Sequence, residues 1–177
     1  MKAIYLIMGP SGSGKTAVAD ALESRYGLCQ VMSYTTRPRR DGEGAGHLFI
    51  TEEEFDRLPH LAACTRFCGF RYGATAKQIA DADLYVIDPD GIRFFADHYD
   101  GEKSFRVIYL DVPESVCRAR MAARGDAQDT IDQRAAYDRE AFRDAEEMAD
   151  VCIANRNFEQ CVETVAAYIL TNEWEEN

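Results

Sequence analysis

Basic residues are the minority charge in this 177-residue chain: 20 lysines and arginines stand against 31 aspartates and glutamates, a formal net charge of −11. That balance argues against a nucleic-acid groove or an anionic membrane as partner, since both demand a cationic footprint. Long apolar runs are also missing. The run Ala3–Met8 near the N-terminus falls far short of the ~20 residues of a membrane span, and neither a long h-region nor a small-residue cleavage site accompanies it. Histidine is scarce, and Cys64 and Cys68 have no second pair or histidine at zinc-like spacing, which argues against a cysteine metal site. The six cysteines are expected to stay reduced, as in a cytoplasmic protein. No linker, repeat or low-complexity tract divides the chain, whose length suits one compact domain.

What is present alternates. Apolar, β-rich runs at Ala3–Met8, Leu28–Met32, Leu84–Asp88, Phe105–Leu110 and Val151–Ala154 are interleaved with helical patterns, the signature of a parallel sheet flanked by helices. The spacing predicts a helix from Lys15 to Tyr26 closed by Gly27, another after Asp111-Val-Pro, a long charged helix over Ile131–Met148, and a terminal amphipathic helix over Phe158–Leu170. Glu140, Glu146 and Glu147 read as the solvated face of the long helix. Two stretches break the rhythm: Ser33–Gly73, with a hairpin expected near Cys68-Gly-Phe-Arg, and the polar segment Arg124–Thr130.

The strongest motif is Gly9-Pro-Ser11-Gly12-Ser13-Gly14-Lys15-Thr16, placed directly after a strand and opening a helix. Glycines let backbone N–H groups curl around phosphate oxygens, and the helix N-terminus adds partial positive charge. Lys15 then serves the β- and γ-phosphates, and the Thr16 hydroxyl suits Mg²⁺. The second motif is Ser33-Tyr-Thr-Thr-Arg37-Pro-Arg39-Arg40-Asp-Gly-Glu43. Arginines this dense in an acidic chain suit bidentate binding of a phosphate. Asp88 ends a buried strand, where open α/β sheets bind their ligands. Its carboxylate suits either ordering the waters of Mg²⁺ or capping the helix that opens at Pro89, and the two roles are compatible.

With these residues on the page, the sequence resembles the guanylate kinases over nearly its whole length. The phosphate loop, the SYTTR run with its following arginines and Gly42-Glu43, Phe49, Glu52-Glu-Glu-Phe55, Gly69 with Tyr72-Gly73, Asp88-Pro-Asp90-Gly91, Arg120…Arg124-Gly125…Arg134 and Asn155 follow the family in order. The resemblance implies a three-layer α/β fold of the P-loop nucleoside monophosphate kinases: a five-stranded parallel sheet with an inserted monophosphate-binding segment and a lid. The core would comprise 1–32, 75–119 and 135–177, the inserted segment 33–74 and the lid 120–134. It implies transfer of phosphoryl from ATP to GMP with Mg²⁺ on the donor, in a monomer or homodimer. Gly9, Ser11, Gly12, Ser13, Gly14, Lys15, Thr16, Arg120 and Arg124 would hold ATP. Ser33, Arg37, Arg40, Tyr72, Asp90 and His47 would hold the acceptor, with Ser33 and Asp90 at the base. Lys15, Arg37, Arg124 and Arg134 would act on the transferring group, and Thr16 and Asp88 would serve the metal.

Departures from the family pattern fall on the acceptor side. His47 stands where a phosphate-contacting tyrosine is expected. Alignment through Gly69 and Tyr72 puts Ala63 at the family's guanine-binding glutamate, facing the base pocket, and Ala74 at a usual serine or threonine. The stretch from Tyr137 to Phe142 does not follow the common form either. Two alternatives stay open: a same-fold kinase with another acceptor, such as a different nucleoside or deoxynucleoside monophosphate or a ribose bisphosphate, and a non-catalytic guanylate-kinase-like binding module.

Overall fold

In the run Ala3–Met8 every residue is buried. Tyr5 and Ile7 face one apolar cluster while Ile4, Leu6 and Met8 face another, the two-residue alternation of a strand covered on both sides. The computed structural model describes residues 2–39 and 46–175, and this strand, β1, is central in it. Parallel partners flank it in the order β6-β1-β7-β8, with β6 at Leu84–Val86, β7 at Ser104–Asp111 and β8 at Val151–Ala154. Helices α1 (Lys15–Tyr26) and α8 (Phe158–Glu175) close one face through Val18, Leu22, Val162, Val165 and Ile169. The other face is closed by Ile79 of α3 (Ala76–Ala80) and by Ile92 and Phe95 of α4 (Pro89–His98).

The expected five-stranded sheet has four strands. Leu28–Met32 does run beside β6, with Val31 N–H donating to Leu84 O at 2.8 Å and Leu84 N–H to Cys29 O at 3.0 Å. It forms only the isolated parallel bridge Gln30↔Leu84, because the chain leaves at once for a second sheet. That sheet has the order β3-β2-β5-β4, built from β2 (Ser33–Thr35), β3 (His47–Phe49), β4 (Leu61–Phe67) and β5 (Phe70–Thr75). The hairpin β4–β5 turns on Cys68 and Gly69, both at positive φ (50° and 84°), as a two-residue turn matched to strand twist requires. Between β3 and β4, α2 (Glu52–Asp56) starts on a capping box of Thr51 and Glu54. Packing of β4 on α4 joins the second sheet to the first.

The long charged helix is interrupted. α6 spans Gln128–Ala141 and α7 only Ala145–Met148. The charged sequence offers too little apolar surface for one continuous packed stripe, and the break turns Ala145 into the core, 1% exposed, while Phe142 stacks near Tyr109 at 6.2 Å between centroids. α5 covers Glu114–Ala123, and Arg124–Ala127 alone separates it from α6. The terminal helix runs past Leu170 to Glu175, with Glu173 accepting from the N–H groups of Lys2 and Ala3 at 3.1 and 3.2 Å.

Phe95 is fully buried, stacked on Tyr99 at 4.5 Å and edge-on to Phe105 at 5.4 Å. Truncating such a ring removes its burial and leaves a cavity. Phe95→Ala is expected to cost ~3–5 kcal/mol, read as a lower denaturant midpoint at unchanged slope; a loss below about 1 kcal/mol would contradict this packing.

Candidate active site

At the end of β1 the chain enters Gly9–Thr16 and curls back on itself. Ser13 N–H donates to Pro10 O at 3.0 Å, and Lys15 Nζ reaches Gly9 O at 2.6 Å and Pro10 O at 3.0 Å. The curl needs left-handed backbone at Gly12 and Gly14, with φ of 81° and 93°. A Cβ on Gly12 would lie 2.6 Å from Cys117 O, and one on Gly14 2.7 Å from Asn155 Nδ2. Conformation and space both demand glycine there. Asn155 Nδ2 donates to Ser13 O at 2.7 Å, and Arg120 donates to Ser13 O at 3.2 Å and to Asn155 O at 2.8 Å. Ser13 is wholly buried behind the loop.

The loop opens into a cavity of about 620 Å³, in the size class of small-molecule sites. Gly9, Ser11, Gly12, Gly14, Lys15 and Thr16 line it, together with Arg120, Arg124 and Arg134. Arg124 bonds Asp126 through Nε and Nη2 at 3.0 and 2.6 Å, which raises its pKa. Arg134 is mostly buried, 3.6 Å from Asp126, with no partner for Nε among the described residues. Burial lowers the pKa of Lys15, against the opposing pull of Asp138 and Asp88.

From the second sheet, Ser33, Arg37, His47 and Tyr72 line the same cavity. Strand register makes this possible: Ser33 pairs with His47 and Thr35 with Tyr72. Ser33 Oγ lies 2.9 Å from His47 Nδ1, and Arg37 Nε donates to Tyr72 OH at 3.2 Å. The ring of His47 meets Tyr72 edge-on at 5.7 Å, and the Arg37 guanidinium sits 5.4 Å from the Phe49 centroid. Arg37 is only 8% exposed, so this cation is held at the cavity rather than in solvent. Arg40, with Gly42 and Glu43, lies outside the described residues.

Two acceptor-side expectations do not meet in the cavity. Asp90 is exposed outside its lining, paired with Arg93 at 2.8 Å and 3.5 Å from Tyr137 OH. Asp88, two residues earlier, takes the inward position instead: it lines the cavity, caps α4 by accepting Gly91 N–H at 2.7 Å, and accepts Thr65 Oγ1–H at 3.0 Å. Ala63 does not face the base pocket. It is 1% exposed in an apolar cluster and pairs with the equally buried Ala74 across β4–β5. Two residues further along the same face of β4, Thr65 and Phe67 reach the cavity.

Sequence reasoning missed Thr65, Phe67, Tyr85, Tyr137 and Asp138, which all line the cavity. For the α6 pair a signal existed: Arg134, Tyr137 and Asp138 stand at i, i+3 and i+4, one helix face. Tyr137 meets Phe67 edge-on at 4.8 Å, closing α6 against the hairpin.

Burial raises the carboxyl pKa of Asp88, and the bonds from Gly91 and Thr65 oppose it. A folded-state pKa above the unfolded value contributes stability that is fully present below the unfolded pKa and is lost as pH rises through the folded one. Asn keeps the cap from Gly91 N–H through Oδ1, can donate from Nδ2 to Thr65 Oγ1 in place of accepting from it, and has no such loss. The melting temperature of Asp88→Asn relative to the parent is therefore expected to rise between about pH 3.5 and pH 7; a difference that stays flat or falls over that range would contradict the buried-carboxyl assignment.

Comparison with known proteins agrees with this geometry. The profile of the family described as guanylate kinase matches residues 1–172. The guanylate kinase of Coxiella burnetii is 29% identical over 174 residues, 92% of this chain and 84% of that protein. That of Neisseria meningitidis is 32% identical over 142 residues, 74% of this chain and 69% of its own. A crystal structure of guanylate kinase from Anaplasma phagocytophilum superposes with a TM-score of 0.72 at 23% identity, covering 96% of this chain and 85% of that one. A gluconokinase from Sinorhizobium meliloti shares the fold more distantly, at a TM-score of 0.57 and 19% identity. With the family profile spanning the phosphate loop, both sheets and the helices that close them, the chain belongs to the guanylate kinase family.

Proposed function

We propose that this chain transfers the γ-phosphoryl group of ATP to GMP, giving ADP and GDP. The observation that carries the reading is one cavity lined both by a phosphate loop with Lys15, Arg120, Arg124 and Arg134 and by the Ser33–His47–Arg37–Tyr72 cluster. Two anionic substrates need two cationic cradles, and the reaction needs them to share one water-poor space.

In this reading the curled loop and Lys15 hold the donor phosphates, and Arg37, beside the Tyr72 hydroxyl, holds the acceptor phosphate. An acceptor phosphate oxygen attacks the γ-phosphorus, the bond to the β–γ bridging oxygen breaks, and ADP leaves. Arg124 and Arg134 neutralise charge on the transferring group, which is most of what a protein contributes to such a loose transition state. Residues 33–74 serve as the acceptor segment and 120–134 as a short lid on the core of 1–32, 75–119 and 135–177. Thr16 and Asp88 line the cavity, and no group of three or more ligating side chains occurs among the described residues. That donor set fits Mg²⁺, which keeps waters and takes phosphate oxygens rather than an all-protein cage. When bound, the ion would neutralise charge along the donor phosphates.

A second reading, a same-fold kinase with another acceptor, draws on Ala63 and Ala74. Both are buried and apolar, Ala63 where the resemblance implies a guanine-binding glutamate and Ala74 at a usual serine or threonine, so base recognition falls to Ser33, Thr65 and Tyr85. A coupled ADP-release assay over GMP, AMP, CMP, UMP, their deoxy forms and a ribose bisphosphate decides between them. GMP is expected to give the highest kcat/KM, and a different preferred acceptor would replace the guanylate assignment.

Two substitutions test the assignment of the cavity. Lys15→Ala is expected to lower kcat by ~10²–10³ with an unchanged far-UV circular dichroism spectrum. Arg37→Ala is expected to raise the acceptor KM roughly tenfold or more while the ATP KM moves less than about twofold. Equal losses toward both substrates would remove Arg37 from the acceptor site.

A further inference from the structure

The two halves of the phosphate loop are fixed from different directions. Its second half is held by Asn155 and Arg120 on Ser13 O. Its first half meets α6: Ser11 N–H donates to Asp138 Oδ2 at 2.7 Å. Asp138 is 8% exposed, a rare setting for an acid. The Ser11–Asp138 contact lies between two spaces. Both residues line the main cavity, and both also line a second one of about 170 Å³ behind the loop, bounded by Cys117, Met121 and Phe142.

We propose that Asp138 is a positioning residue for the donor phosphates, acting through Ser11: its buried carboxylate pins the first half of the phosphate loop to α6 and walls the main cavity from the one behind it. The inference rests on the proposed phosphoryl transfer at this site. A backbone N–H inside a glycine-rich loop has no rigid element of its own to hold it, and a charge-assisted bond is the strong kind for fixing one. The acid is a costly way to fill this position. Burial raises its pKa, and Ser11, Lys15 and Arg134 offset part of that cost. On the same face of α6, Arg134 stands one turn before it. A single helix thus sets the loop and delivers a cation to the same cavity, so its placement fixes the distance between them. Residues that merely fill space would do this no better than leucine, which has nearly the shape of aspartate and no acceptor.

The test uses the full chain with Asp138→Leu, Asp138→Ala and Asp138→Asn. Leucine keeps the wall and removes the acceptor, alanine removes both, and asparagine retains an acceptor for Ser11 N–H. Three quantities are read: the dissociation constant of ATP with Mg²⁺ by calorimetry, steady-state kcat and both KM values, and amide hydrogen exchange of the peptide containing Ser11. In Asp138→Leu, ATP affinity and kcat/KM for ATP are expected to fall roughly tenfold or more, with faster exchange at Ser11 and an acceptor KM within about twofold of the parent. Asp138→Asn is expected to recover most of each loss. Should Asp138→Leu fail to fold, the same comparison runs between Asp138→Ala and Asp138→Asn. ATP binding within about threefold of the parent in the variants lacking an acceptor overturns the proposal, as does an equal defect in Asp138→Asn or an equal rise in both KM values. A parent that binds ATP but transfers phosphoryl to no monophosphate instead overturns the proposed function, and ATP affinity and Ser11 exchange still decide the role of Asp138.

Discussion

The curl of residues 9–14 is the constraint on which the site depends. A chain leaving a central strand must turn back within a few residues so that its N–H groups face one point. Here the turn is pressed against Cys117 O on one side and Asn155 Nδ2 on the other, each within 2.7 Å of where a side chain would begin. Those neighbours belong to α5 and to the chain just past β8. The loop keeps its shape only if β7 and β8 are stacked in register beyond β1, with α5 returning over them. The parallel sheet is in this sense the mould of the phosphate loop, and burial of every residue of β1 keeps the mould rigid.

The acceptor side is built on a weaker principle. Its residues come from short strands, Ser33–Thr35 and His47–Phe49, whose pairing sets Ser33 beside His47 and Tyr72 beside Arg37. Fewer ladder bonds and thinner burial hold this sheet, so its residues depend on one another as much as on the core. The aromatic contact of Phe67 with Tyr137 and the packing of β4 on α4 tie it back. In the proposed transfer, a rigid donor cradle and a more loosely anchored acceptor cradle would suit a reaction that must admit two substrates and then exclude water.

How much of this was legible in the sequence follows the same division. β1, α1 and β8 were readable to their end residues, because continuous burial, a Gly-rich loop and a Gly27 cap leave few alternatives. Leu28–Met32 looked like a strand and became a single bridge, since an apolar run does not say how long it stays beside its neighbour. The charged helix looked continuous, and its break at Phe142 obeys a tertiary demand for Ala145 in the core. In the site, most positions of the phosphate loop reached the cavity, while Ser13, Asp90 and Ala63 did not. A two-residue choice of which side chain reaches the cavity, Asp88 over Asp90 and Thr65 over Ala63, is settled by helix capping and by how far along the strand the cavity begins.

Charge placement joins these parts. In a chain with eleven excess negative charges, long-range attraction would not bring a triphosphate and a monophosphate to the surface. Binding must come from short-range fields, and the cavity concentrates Lys15, Arg37, Arg120, Arg124 and Arg134 in one partly dry space. There each cation acts at a lower effective dielectric than on the surface. Uncompensated, five such cations would repel one another. Asp88, Asp138 and Asp20 line the same space, and Asp126 engages two of the arginines. The acids offset that repulsion within the cavity. An acidic protein that binds anions needs both sets in one space, cations to attract the phosphates and carboxylates to keep those cations from driving one another apart.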